Sequence, residues 1–217
     1  AVPTGNTNYH GKYRRSINIC YTREIIPNFN DFDYAISFSP MQFLDRFLRY
    51  PEYLLKQSIY RIPRIRNYNR NRKFCGSVFD YDMKGWRKNF TEKLNKYKKI
   101  ENRKFDNDDL DGKINFLKDY KFGLAFEKAS TPGYATEKLF DVLLSGIVPI
   151  YFGDDYIFKV INKDAVIYLK DEDNIDNVIN FIKEIDNNDK FMRSISKEPI
   201  FKDEKYLEKQ EKKVREF

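Results

Sequence analysis

Phe122-Gly123-Leu124-Ala125-Phe126, then Ala135 to Ser145, then Val148-Pro149-Ile150-Tyr151-Phe152, form the stretch that decides the fold class. The two outer runs are short and almost wholly apolar, as strands buried on both faces are. Between them Leu139, Val142 and Leu143 fall on one face at helical spacing, and Gly146 stops the segment. A strand, a helix and a strand follow one another with little between. Working outward, Ala165 to Leu169 predicts a further strand and Ile175 to Ile185 a helix; upstream, Phe74 to Phe79 predicts a strand, with helices at Gly85 to Lys99 and Ile114 to Asp119. Such alternation argues for an α/β fold with a parallel, doubly wound sheet. Ligands of these sheets bind beyond the carboxyl ends of the strands, which directs attention to the loops after Phe126 and Phe152.

Nearer the start the texture differs. Ile17 to Tyr21 and Tyr34 to Phe38 alternate as strands, Pro27, Asn28 and Asn30 punctuate the loop between them, and Pro51 to Gln57 predicts a short helix with proline in its first turn. Arg61 to Lys73 then carries six basic residues and no acid, interrupted by Pro63, and predicts a domain crossing or linker.

Composition removes several classes of function. The 217 residues carry a net charge of +7, 41% apolar and 34% charged residues, and 17% aromatic rings. That is a folded chain with a real core, since disordered chains are poor in rings. Cys20 and Cys75 are far apart and His10 is the single histidine, so structural zinc and a histidine-centred triad are excluded in practice. The apolar flanks of both cysteines favour thiols over a disulfide. No apolar run approaches the roughly 20 residues of a membrane span, and no signal peptide is evident. Ala1 in place of Met, followed by loop-forming Pro3, Gly5 and Asn6, predicts that the chain is the trailing part of a longer protein.

The densest chemistry lies between Phe126 and Lys138. Thr136 stands where it can cap the following helix, whose free N–H groups and dipole favour an anion. Lys138 adds a positive charge in the first turn, where a cation is out of place unless something negative sits nearby; a diphosphate would explain it, and solvation or pairing with Glu137 or Glu127 is the alternative. Asp80-Tyr81-Asp82 has the D-x-D form of metal-dependent sugar transferases, but four other acidic stretches share it, and no metal is expected. Glu24 follows a strand end, where a carboxylate can act as a general base or pair with Arg23. Phosphate-binding and nucleophile-elbow glycine motifs are missing from the sequence.

Three segments together resemble the α1,3-fucosyltransferases, glycosyltransferase family 10, in their compact bacterial form. They are Tyr120 to Glu127, Gly133 to Leu139, and Val148 to Gly153, similar to the signature "YKFxLxFEN … (G/D)Y(V/I)TEK … (V/I)P(I/V)xxG". Tyr21-Thr22-Arg23-Glu24 and Pro27 to Ile36 resemble that family's upstream "YTGEN … PDFNxxDYAI" segment. The resemblance implies a GT-B fold of two facing Rossmann-like domains, the first of them incomplete here, and no catalytic metal or other cofactor. It implies inverting transfer of L-fucose from GDP-fucose to a hydroxyl of an N-acetylglucosamine-containing glycan, with an α1,3 linkage, as in glycan biosynthesis and protein glycosylation. It places Glu24 as the base on the acceptor hydroxyl and Glu137 near the fucose ring as the catalytic pair. Arg87 and Lys138 fall on the donor phosphates, Tyr134 beside the nucleotide, and Glu127 and Thr136 join them as substrate-binding residues. The chain departs from the pattern at Arg23 for glycine, at Lys128 for asparagine, and at the acidic run Asp106 to Asp111 in place of a glycine-rich segment.

The resulting division is residues 1–62 for an acceptor-side domain, 63–73 for a basic linker, 74–195 for a GDP-sugar-binding Rossmann-like domain and 196–217 for a charged C-terminal helix. Expected partners are a GDP-sugar and an oligosaccharide, and not nucleic acid. The last helix, from Lys202 to Phe217, has six basic and five acidic residues and either rests on a membrane surface or returns to the first domain. The expected location is cytoplasmic or peripheral on the inner membrane face, or the Golgi if a eukaryotic anchor precedes Ala1. Two rival functions are transfer from another GDP-sugar and, from the charge and the Arg61 to Lys73 run, nucleic-acid binding.

Overall fold

The computed structural model describes residues 17–22, 32–40, 44–78, 85–106 and 108–217. Glu24, Arg23 and the Asp80-Tyr81-Asp82 motif lie outside them. Two parallel sheets organise the described residues. The first has three strands in sequential order, β1 (Ile19–Tyr21), β2 (Tyr34–Ser37) and β3 (Phe47–Arg49). The second has five, β4 (Lys73–Ser77), β5 (Ile100–Asn102), β6 (Tyr120–Phe126), β7 (Val148–Phe152) and β8 (Ile167–Leu169), in the order β5-β4-β6-β7-β8. From β4 the chain first adds β5 on one side and then crosses to add β6 on the other. The crossover leaves a crevice between the carboxyl ends of β4 and β6, the place where such sheets bind ligands.

Among the described residues six α-helices accompany the strands: α1 (Trp86–Asn95), α2 (Leu110–Leu117), α3 (Glu137–Leu144), α4 (Ile175–Asp186), α5 (Asp189–Lys197) and α6 (Tyr206–Glu216). Alternation along β6 divides the core in two. Phe122, Leu124 and Phe126 pack with Phe90 and Leu94 of α1 and Ile175, Ile179 and Ile182 of α4. Ala125, on the opposite face, joins Leu117 of α2 and Leu139, Val142 and Leu143 of α3. Leu139 and Leu143 are fully buried, each worth about 1.5–3 kcal/mol by area removed from water. Gly123 allows α3 to lie close on the sheet: a Cβ there would stand 2.7 Å from Val142 Cγ1.

Several elements differ from the sequence expectation. The segment after Pro51 forms two 3-10 turns, Glu52–Leu55 and Gln57–Arg61, and not a short α-helix. Tyr53, Leu54 and Ile59 from these turns pack onto the α3 face. α2 begins four residues before Ile114 because Asp109 accepts from Gly112 N at 2.9 Å and caps it. β3 and β5 were not expected, being three-residue edge strands with polar or charged neighbours. The run Arg61 to Lys73 is built into the structure: Arg66 is 3% exposed and donates to the carbonyls of Ala165 (2.8 Å) and Ile195 (2.7 Å). Its other cations meet Asp111, Glu204, Asp189, the Gly146 carbonyl and Glu101. Each of the six basic residues thus has a protein partner. α6 returns to the N-terminal half, where Phe217 meets the Tyr34 ring edge-on and Tyr206 shares a 2.9 Å hydrogen bond with Tyr53. Among the described residues no helix is long and apolar enough to cross a membrane.

Candidate active site

The crevice opens into a cavity of about 1150 Å³. Val78 beyond β4 and Phe126 at the end of β6 line it, as do Arg87, Tyr134, Thr136, Glu137 and Lys138. Five of the residues singled out from the sequence therefore face one space. Two helix starts deliver them. Trp86, the first residue of α1, packs its ring against Phe126 (5.3 Å between centroids) and Phe152 (4.1 Å), which sets Arg87 over the strand ends. α3 begins at Glu137, so Glu137 and Lys138 occupy its first turn.

Glu127 organises this corner. Its N–H donates to the Phe152 carbonyl at 2.9 Å, which extends the β6–β7 pairing by one residue. Its side chain is wholly buried and accepts from Thr136 N (2.7 Å), from the Thr136 hydroxyl (2.8 Å) and from Lys138 Nζ (3.5 Å). Its main-chain carbonyl accepts from the Arg87 guanidinium. Glu127, expected among the substrate-binding residues, therefore stands behind the cavity wall and holds the residues that line it. Thr136 departs from expectation too. It occupies the N-cap position, but its hydroxyl makes no cap bond. It is spent on Glu127 and accepts from Lys138 Nζ at 2.8 Å. Lys138 pairs with Glu127 at 3.5 Å and with Glu137 at 3.6 Å.

The charges are tuned by burial and by one another. Burial pushes the Glu127 carboxyl above its ordinary range, against the pull of Lys138. For Glu137 burial works the same way, but Lys138, then a hydrogen bond from its own backbone N–H, then Lys113 outweigh it and hold that carboxyl below its usual range, hence ionised at neutral pH. Burial lowers the pKa of the Arg87 guanidinium, partly offset by Glu127, and Arg87 Nε is buried without a partner. A buried donor left unpaired costs free energy, and here it belongs to a cation on a cavity.

Several cavity residues escaped the sequence reading, Arg103, Lys104 and Phe105 after β5 among them. Asp141 lies one turn beyond Glu137, so that helical spacing alone could have flagged it. It faces Lys113 of α2 at 4.0 Å, with both side chains about nine-tenths buried, and burial lifts its carboxyl to about 6. Lys56 and Glu52 reach the cavity from the 3-10 turns of the N-terminal half, and nothing local in the sequence marks them. Of the residues where the chain departs from the fucosyltransferase pattern, Lys128, Asp106, Asp108 and Asp109 line the cavity.

Comparison with known proteins accords with this geometry. The family model "Glycosyltransferase family 10 (fucosyltransferase) C-term" matches residues 67–198, and "Alpha-(1,3)-fucosyltransferase FucT N-terminal domain" matches residues 4–56. A protein of Acanthamoeba polyphaga mimivirus named as a fucosyltransferase is 40% identical over 129 residues, 59% of this chain and 19% of its own length. The alpha-(1,3)-fucosyltransferase FucT of Helicobacter pylori is 28% identical over 222 aligned positions, 83% of this chain and 46% of its own length. The chain thus spans between a fifth and a half of these relatives. A crystal structure of an alpha1,3-fucosyltransferase with GDP superposes with a TM-score of 0.74 over 94% of this chain and 74% of its own, at 24% identity. That likeness shows the shared α/β architecture of GT-B type, as expected from the sequence. By the family match over most of its length, the chain belongs to glycosyltransferase family 10, the fucosyltransferases.

Proposed function

We propose that the chain carries the GDP-fucose site of an inverting α1,3-fucosyltransferase whose acceptor is a hydroxyl of an N-acetylglucosamine-containing glycan. The observation that carries the reading is the convergence of Arg87 and Lys138, from the first turns of two helices, on a cavity at the sheet's crossover. Two cations carried in the first turns of helices, whose dipoles favour an anion at that end, suit a diphosphate. A similar structure has been determined with GDP-fucose bound, which supports the same donor here.

In this reading Glu24 takes the proton of the acceptor hydroxyl as its oxygen attacks the anomeric carbon. The bond from that carbon to the β-phosphate oxygen breaks on the opposite face, and the configuration inverts. Arg87 and Lys138 meet the negative charge that grows on the departing GDP, with no divalent ion required. Ionised Glu137 steadies positive charge on the sugar ring, as carboxylates do in glycoside hydrolysis. Tyr134 contacts the nucleotide.

Transfer assayed with GDP-fucose and GDP-mannose against a panel of acceptors tests the proposal. Fucose transfer to N-acetylglucosamine-containing acceptors is expected. Preference for GDP-mannose would instead establish another GDP-sugar as donor, with Lys128 and Arg23 the first residues to exchange.

A further inference from the structure

Tyr134 lines the cavity, yet its placement depends on residues far away in the chain. The residue before it, Gly133, has φ +79°, and a Cβ there would stand 2.7 Å from the Phe38 carbonyl oxygen. Both main-chain polar groups of Gly133 are held. Its N–H donates to Asp154 Oδ2 at 2.7 Å, and the same carboxylate oxygen accepts from Tyr156 N at 3.1 Å. Its carbonyl accepts from Nη2 of Arg49, the last residue of β3, at 3.3 Å. The Arg49 guanidinium in turn lies 4.7 Å from the centroid of the Tyr156 ring. The contacts close on themselves: Arg49 to Gly133, Gly133 to Asp154, Asp154 to Tyr156, and Tyr156 back to Arg49.

Three elements meet in that ring of contacts: the end of the N-terminal sheet, the loop that leads into α3, and the turn after β7. Tyr134 also sets its ring edge-on against Phe38, just past β2, with 5.3 Å between centroids. The N-terminal sheet therefore touches the loop at two points, once through Phe38 and once through Arg49. An arginine suits the second point because its planar fork can stack on a ring and donate in its own plane at once; a lysine can do only one of these well.

We propose that Arg49 is a positioning residue for the donor site, fastening Gly133, and through it Tyr134, to the N-terminal sheet. The proposal rests on the reading of the cavity as a GDP-fucose site. Arg49 touches no reacting atom. Its effect is to fix the loop before nucleotide arrives, so that less ordering remains to be done on binding. It also makes donor affinity depend on how the N-terminal sheet sits against the loop.

The test uses the full chain with Arg49→Met and Arg49→Lys, and two readouts. In the absence of nucleotide, amide exchange over 131–136 is expected to quicken about tenfold in Arg49→Met while β6 amides stay protected. With nucleotide, the Kd for GDP and the KM for GDP-fucose are expected to rise about tenfold, with kcat changed much less. Arg49→Lys recovers part of both, and it carries the test if the methionine variant does not fold. Wild-type exchange and wild-type GDP affinity in the variants would overturn the proposal, as would a lower melting temperature with unchanged GDP affinity. Quickened exchange in a chain whose wild type binds no GDP would leave the clamp standing and sink the donor-site reading.

Discussion

Asp141→Asn isolates what the cavity costs the fold. Asp141 is 7% exposed, a turn beyond Glu137 on the same face of α3, and its nearest cation, Lys113, is 4.0 Å away. Burial lifts its pKa from 3.8 to about 6, with Glu137 adding to the rise and Lys113, Lys56 and Lys138 opposing it. A folded pKa above the unfolded one means that the folded chain binds the proton more tightly. The associated stability is therefore fully present below pH 3.8 and is lost as pH rises through about 6. A shift of roughly two units, at about 1.4 kcal/mol each, makes the loss about 3 kcal/mol by pH 7. Asparagine has the same shape and does not titrate. Any fixed effect of the substitution is the same at every pH and drops out of the comparison. Urea unfolding of both proteins at pH 4 and pH 7.5 is expected to show the variant gaining about 2–3 kcal/mol on the wild type across that interval. In melting temperature that is on the order of 5–10 °C for a chain of this size. A stability difference that is equal at the two pH values would refute the reasoning, because it would mean that Asp141 ionises in the fold as readily as in the unfolded chain.

Arg87→Met and Lys138→Met are each expected to weaken GDP binding about 10- to 100-fold by calorimetry, the loss of one charge-assisted contact, and EDTA is expected to leave wild-type transfer intact. Glu24→Gln is expected to cut transfer by about 10²–10⁴ while GDP affinity holds, as removal of a base does; lost GDP affinity would move Glu24 to the donor site. Glu127→Asp draws the carboxylate back from Thr136 and Lys138 but keeps the carbonyl that holds Arg87, so its effect on GDP affinity is expected to be strongly non-additive with Lys138→Met in a double-mutant cycle. Gly123→Ala, whose new methyl would meet Val142, is expected to cost about 1–3 kcal/mol in urea unfolding by forcing α3 away from the sheet.

The sheet was legible where burial on both faces imposes long apolar runs. β6 and β7 announce themselves because each side chain meets a helix layer. β5 does not, since Ile100-Glu101-Asn102 lies at an edge and one of its three side chains is buried. The site was legible for the residues that share one stretch of chain. Tyr134 to Lys138 lie within five positions, and Arg87 became visible through a family motif. What joins them was not. Lys56, Lys113 and Arg49 come from three separate elements, and their approach to the cavity or its loop follows from packing that no local pattern encodes. Thr136 shows the limit from the other side. A threonine at a helix start reads as a cap, and only the proximity of a buried carboxylate diverts its hydroxyl.

That buried carboxylate also explains how two cations can face one cavity before any anion arrives. An uncompensated lysine and arginine side by side would repel each other and wander, and each long side chain carries about 2 kcal/mol of rotamer entropy. Glu127 answers both problems from a single residue. Its side chain gives Lys138 a counter-charge and, through Thr136, a second anchor; its main-chain carbonyl gives Arg87 a fixed acceptor. Because β-pairing to Phe152 locks its backbone, the two anchors move together with the sheet. The cost is visible in the upward-shifted Glu127 carboxyl, for burial disfavours the very charge that Lys138 needs. Replacing the group by something apolar would relieve that cost and would lose the geometry. If the cavity takes the proposed diphosphate, cations held in this way would act by electrostatic preorganisation, since donors already aimed need no reorganisation when charge develops on a leaving group.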